Sequence, residues 1–194
     1  VSGEKRFNVT ICAETPGFLT SKDGFALNAT QDFTAIGQAD IVVVPYWQHV
    51  LERPPQALLD SLVQARDRGA EIVGLCLGSF VLAWAGILDG KRAATHWEFE
   101  RQFQSLFPNV RLDINALYVD DGNIITSAGT AAALDCCLYI IRQRFGSVVA
   151  NQIARRMIVP PHREGGQAQF IAQPVPKDTR DGRINCLIDY LQQH

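Results

Sequence analysis

Glu71-Ile72-Val73-Gly74-Leu75-Cys76-Leu77-Gly78-Ser79-Phe80-Val81-Leu82-Ala83 decides how this chain folds. A short apolar strand runs into Gly-x-Cys-x-Gly and then into an apolar helix. That is the layout of a nucleophile elbow, with cysteine in the place that serine often takes. A strand that turns at once into a helix presses backbone against backbone, and only glycine lacks the Cβ that would collide. The turn lifts Cys76 to the carboxyl end of a sheet and aims the first free N–H groups of the helix at it. Those donors favour negative charge, so the reading expects Cys76 to ionise more readily than a free cysteine. The competing reading makes Cys76 a small buried hydrophobe, the usual fate of a lone cysteine. The two flanking glycines and the strand-to-helix switch favour the elbow.

The rest of the composition narrows the class. The chain has 194 residues, 47% of them apolar, enough for one domain with a sizeable core and a short appendage. No apolar run has the length of a membrane span and no secretory signal heads the chain. Five cysteines (Cys12, Cys76, Cys136, Cys137 and Cys186) have no regular spacing and no Cys-x-x-Cys pair. They read neither as a disulfide framework nor as a zinc site, and a reducing cytoplasm suits them. A formal net charge of −2 gives the chain no global field for holding nucleic acid.

Along the chain, Phe7–Ala13 alternates as a strand does, and Phe18 to Thr30 reads as a hairpin around Lys22-Asp23-Gly24. Asp40–Pro45 is a β-branched run expected to be buried on both faces. Pro54-Pro55 opens a helix that places Leu58, Leu59, Leu62 and Ala65 on one side and stops at Gly69. After the elbow helix, Ser79–Ala85, comes a short strand, Arg92–Thr95. Thr95-His96-Trp97-Glu98 has capping-box spacing and starts a helix carrying Phe99, Phe103 and Leu106. Val110–Ile114, Leu117–Val119 and Ile124–Thr126 are strand-like, the last two joined by an Asp120–Asn123 turn. Ser127-Ala128-Gly129-Thr130 then leads into a long apolar helix to about Phe145, and Gly146-Ser147 separates it from another, Val148–Met157. Strands alternating with helices make an α/β fold with a mostly parallel sheet, whose crevice opens at the carboxyl ends of the strands. Cys76 and the Ser127–Thr130 turn should face each other there.

The character changes after Met157. Residues 159–182, with Pro160-Pro161-His162-Arg163 and Gly165-Gly166-Gln167, read as a tail and linker. Residues 183–194 carry Ile184, Leu187, Ile188 and Leu191 at amphipathic helical spacing, and read as the start of a second domain.

Gly74-Leu75-Cys76-Leu77-Gly78-Ser79, Ala94-Thr95-His96-Trp97 and Thr126-Ser127-Ala128-Gly129 resemble the ThiJ/PfpI branch of the class I glutamine amidotransferase-like superfamily. The stretch from Pro160 to Phe170 is similar to the segment joining such a domain to an AraC-type helix-turn-helix domain in bacterial transcription regulators. The resemblance implies a flavodoxin-like three-layer sandwich over residues 1–158, commonly dimeric, with a small-molecule pocket around the elbow. It makes residues 183–194 the beginning of a DNA-binding domain that this sequence does not contain. Two departures stand out. The family normally opens with another strand and helix, carrying an acidic residue that steadies the cysteine, ahead of the segment matching Phe7–Ala13. Its hydrolases also often place histidine directly after the cysteine, where this chain has Leu77.

A cysteine nucleophile needs a base within hydrogen-bond reach. His96 is the best placed, though the pattern favours reading it as a helix-entry residue beside a Thr95 cap, packed under Trp97. His49, His162 and His194 are not placed by the pattern. Asp135 is a candidate pocket acid, but its place in the first turns of its helix favours a complement to the helix dipole. Cys76, Leu77, Gly78, Trp47, His96, Ser127, Ala128 and Gly129 are the expected ligand-binding set, with Cys76 and His96 as catalytic candidates. No metal cluster and no cofactor is expected. The leading reading is a non-catalytic effector-sensing and dimerisation domain of a cytoplasmic AraC-type regulator, which touches DNA through a further domain. The alternative is a cysteine-dependent ThiJ/PfpI-type hydratase or amidohydrolase.

Overall fold

A computed structural model describes residues 5–21 and 24–169, together with Cys186 and Tyr190. In chain order it gives β1 (Gly17–Thr20), β2 (Ala26–Ala29), a 3-10 turn (Phe33–Gln38), β3 (Ile41–Val44), α1 (Gln56–Asp67), β4 (Glu71–Gly74) and α2 (Gly78–Trp84). There follow β5 (Arg92–Ala93), a 3-10 turn (Trp97–Phe99), α3 (Glu100–Leu106), β6 (Arg111–Leu112), β7 (Tyr118–Asp120), β8 (Ile124–Ser127) and α4 (Thr130–Met157). The central sheet has the order β3-β4-β8-β7. β3, β4 and β8 run parallel, and β7 turns back antiparallel along the edge beside β8.

The pleat sorts the core into two halves. Ile72 and Ile124 are cross-strand partners, and both face α1 and α2, where Leu59, Leu62, Phe80 and Leu82 are buried. Their neighbours Val73 and Ile125 face the other way, onto Ala132, Cys136 and Ile140 of α4. The result is a three-layer α/β sandwich. Each fully buried aliphatic or aromatic side chain contributes about 1.5–3 kcal/mol, so the layers are held mainly by this burial. Phe80 is the hub of the larger half, with ring centroids 4.8 Å from Phe103 and 6.0 Å from Phe107 in edge-on contacts.

The structure departs from the sequence reading in several places. Among the described residues β3 pairs on one side only, with β4, and its side chains are not all covered, against the expected burial on both faces: Val42 and Val44 are buried, but Val43 is 47% exposed. Local pattern cannot separate the two cases, because a β-branched run suits either. Phe7–Ala13 forms no strand; it makes a single parallel bridge, Cys12 to Gln31, and leaves Val9 and Ile11 exposed. α4, by contrast, agrees with the reading: it is two helical stretches that meet at a kink at Gly146 (φ 81, ψ 168), where the sequence placed a separation. The hairpin turn residues Lys22 and Asp23 lie outside the described residues. So does the helix expected over 183–193, except that Cys186 and Tyr190 are helical and exposed.

Candidate functional site

The elbow is built by close backbone packing. Cys76 has φ +50, a left-handed conformation that non-glycine residues adopt at a cost and that elbows impose on their central residue. A Cβ on Gly78 would sit 2.0 Å from the Val44 carbonyl oxygen, so α2 starts directly against the end of β3. A Cβ on Gly74 would lie 3.1 Å from Ser79 backbone and from Leu82.

The two strand-to-helix turns meet as the sequence implied. The Cys76 N–H donates to Ser127 Oγ at 3.4 Å, and Ser127 Oγ donates to the Ala128 carbonyl at 3.1 Å. The Cys76 carbonyl is held from below by two hydroxyls, Ser79 Oγ at 2.8 Å and Thr95 Oγ1 at 3.4 Å, which lie 2.9 Å from each other. Both residues are fully buried. Thr95 is therefore no helix cap. His96 takes that role, its Nδ1 accepting from the Glu98 N–H at 3.3 Å, because the Thr95 hydroxyl is turned inward to the elbow.

The Cys76 thiol is about half-buried with the Leu77 N–H beside it. Burial pushes it above the usual thiol range, and the Leu77 N–H only partly offsets that. This corrects the expectation of an easily ionised cysteine. Desolvation disfavours the thiolate, and α2 is only 7 residues long. No hydrogen bond joins His96 to Cys76. The imidazole stacks on Trp97, with centroids 5.7 Å apart, and packs against Gly129, where an added Cβ would fall 2.6 Å from Cδ2. His96, Gly129, Ser127 and Cys76 thus converge, linked through backbone and packing. Trp47 is half-buried against the main core, and its indole N–H donates to the Glu52 carbonyl at 3.1 Å.

Asp135 is neither a pocket acid nor a bare dipole partner. It is 7% exposed and accepts from Arg163 Nε at 2.9 Å and Nη2 at 2.5 Å, which raises the Arg163 guanidinium above its ordinary value. A groove of about 480 Å³ lies between β7, α4 and residues 162–166, lined by Tyr118, Asp120, Tyr139, Arg142, His162 and Gly165. Cys76 does not line it. Among the described residues no group of three or more His, Cys, Asp or Glu is set to hold a metal ion, and no helix is long and apolar enough to cross a membrane.

Residues 3–143 match the DJ-1/PfpI family. The chain belongs to that family. The curated relatives of this DJ-1/PfpI domain include the HTH-type transcriptional regulator CdhR of Pseudomonas aeruginosa, 32% identical over 143 residues, which cover 74% of this chain and 42% of that protein. The isonitrile hydratase of Pseudomonas putida is 30% identical over 146 residues, covering 74% of this chain and 62% of the enzyme. Of 8 curated relatives, five are named HTH-type transcriptional regulators, more than are named enzymes. The chain spans less than half the length of those regulators. Among solved structures, an AraC family transcriptional regulator from Pseudomonas putida superposes with a TM-score of 0.69 at 23% identity, covering 80% of this chain and 83% of that one. The flavodoxin-like sandwich is the fold of this family, and it serves both regulators and enzymes.

Proposed function

We propose that the domain is the effector-sensing and dimerisation part of an AraC-type transcription regulator, with a small molecule bound at the Cys76 elbow and DNA bound by a helix-turn-helix domain outside these 194 residues. The observation that carries this reading is the state of the thiol. Cys76 keeps the elbow's strained backbone, yet burial raises its pKa, and among the described residues no imidazole or carboxylate is hydrogen-bonded to it. A general base typically supplies ~100- to 10,000-fold of rate, so an elbow without one is poorly equipped to turn over substrate. Binding asks less: a few convergent polar atoms suffice, and Leu77 N–H, Ser127 Oγ and His96 are such atoms. In this reading Cys76, Leu77, Gly78, Ser127, Ala128, Gly129 and His96 line the effector site, with Trp47 at its rim, and two copies pair so that two DNA-binding modules act together.

The second reading, a cysteine-dependent hydratase or amidohydrolase, draws on the hydratase relative and on the convergence of His96 with the elbow. The purified domain is assayed against amides, small aldehydes and isonitriles, wild type beside Cys76→Ser. The expected result is no thiol-dependent turnover, with ligand-dependent melting shifts that the substitution alters. Turnover that disappears with the thiol would replace the sensor reading by the enzyme.

A further inference from the structure

The Pro160–Gln169 segment takes no part in the elbow, yet it is fastened to the domain along its length. The Pro161 carbonyl accepts from Arg142 at 2.7 Å, and Arg163 pairs with Asp135. The Gly165 carbonyl accepts from the Leu117 N–H at 2.6 Å, in a seat so close that a Cβ on Gly165 would lie 2.4 Å from the Tyr118 carbonyl oxygen. Ala168 bridges to Ala116, and the Gln169 N–H donates to Asn115 at 2.9 Å.

The Gln169 side chain makes the last and deepest of these contacts. It is 8% exposed, and its amide nitrogen is shared among three backbone carbonyls: Ile114 at 2.7 Å, Ala116 at 3.2 Å and Thr95 at 3.2 Å. Thr95 is the same residue whose hydroxyl supports the Cys76 carbonyl beside Ser79. One buried residue is therefore gripped on its hydroxyl by the elbow and on its carbonyl by the segment that leaves the domain.

We propose that Thr95 and Gln169 form a latch through which the state of the Cys76 elbow sets whether residues 165–169 are held against the domain. The proposal rests on the elbow being the sensing site. A group seated at Cys76 that displaces its carbonyl pulls on the Thr95 hydroxyl, and Thr95, fully buried, moves as a unit. Its carbonyl then parts from Gln169 and is left buried without that donor, which is costly, while the amide keeps Ile114 and Ala116. Releasing the segment to water removes that cost, so the outgoing chain changes position in response to the elbow. Coupling of this kind is reciprocal: loosening Gln169 must also change the elbow.

Reciprocity gives a test that needs no effector. The 194-residue chain is alkylated with iodoacetamide, which forms an Sγ–C bond while iodide leaves and the thiol proton passes to solvent. The rate at each cysteine is followed by peptide mass spectrometry. Gln169→Met keeps the length of the side chain and removes the amide. It is expected to change the Cys76 rate by about five-fold or more, with Cys12 and Cys137 shifting by less than about two-fold. Thr95→Ser, which retains the hydroxyl, keeps the wild-type rate. In wild type, alkylation of Cys76 is expected to speed hydrogen exchange at the Leu117 and Gln169 amides. An unchanged Cys76 rate in a folded Gln169→Met chain overturns the latch. If that variant does not fold, unchanged exchange after alkylation of wild type overturns it equally. Either failure leaves the sensing role standing, because that role is read from effector-induced melting shifts.

Discussion

Gly78→Ala tests the elbow more sharply than any change at the cysteine. The added Cβ would fall 2.0 Å from the Val44 carbonyl oxygen and 2.9 Å from its carbon. Ordinary carbon–oxygen contact is roughly 3.3 Å, so β3 and the start of α2 must separate by more than about 1 Å, and both sides are backbone. Overpacking a core costs typically ~1–3 kcal/mol where side chains can yield. Here none can, so a loss of about 3 kcal/mol or more is expected, a fall in Tm of roughly 6–12 °C for a chain of this size. Gly74→Ala is the internal control. Its Cβ would meet Ser79 backbone and Leu82 at 3.1 Å, a crowding of tenths of an ångström, set against ~0.4–1 kcal/mol gained from a stiffer unfolded chain. Its net change should stay within about 1 kcal/mol. Urea unfolding followed by circular dichroism measures both. If the two variants were equally stable, the close approach of α2 to β3 would not be what makes glycine necessary at position 78.

Two further outcomes follow from the charges. The folded pKa of Cys76 lies above the ordinary 9.0, so its thiolate is scarce near neutrality: alkylation should be slower than for a free thiol at pH 8 and should rise through a midpoint above 9.0. By linkage, the stability associated with the neutral thiol is fully present below pH 9.0 and is lost as pH climbs through the folded value; a midpoint below 9.0 would refute the burial argument. Arg163→Met leaves Asp135 buried without its partner. Stranding a fully buried charge costs ~3–5 kcal/mol, and because the Arg163 side chain is 33% exposed the loss should be about 1–3 kcal/mol, partly restored by Arg163→Lys; no change in urea stability would count against the pair.

Much of the sandwich was legible because its cause is local. Ile72–Val73 and Ile124–Ile125 are β-branched runs closed by strand-to-helix turns, and glycine at 74 and 78 is what such a turn requires. What stayed hidden is decided by distant neighbours. Whether Val43 meets a helix or water depends on what packs over that face of β3, which no periodicity encodes. Thr95 had a plausible local partner in the capping-box pattern and a better one in Ser79, far along the chain. The thiol of Cys76 carried a local signal, the helix terminus, that pointed toward ionisation, while the opposing desolvation exists only once β4, α2 and β8 have closed around it. Asp135 and Gln169 found their partners, Arg163 and Thr95, across gaps that motif reading does not span.

The register of the central sheet also dictates an order of assembly. β7 and β8 are joined by a tight turn and can pair early, whereas β4 must find β3, from Glu71 back to Ile41, across α1, and β8, from Ile72 to Ile124, across α2, α3 and the strands between. Such non-local pairings form slowly, since the loop entropy is lost before the contacts repay it. The Cys76 turn hangs from β4 and borrows its hydroxyl partners from β8 and from Thr95, so it exists only when the last of these pieces is in place. Before that moment the sulfur is an ordinary exposed thiol; after it, a shielded one. The rate at which the chain hides this atom is thus a clock for completion of the fold, readable with a thiol reagent during refolding.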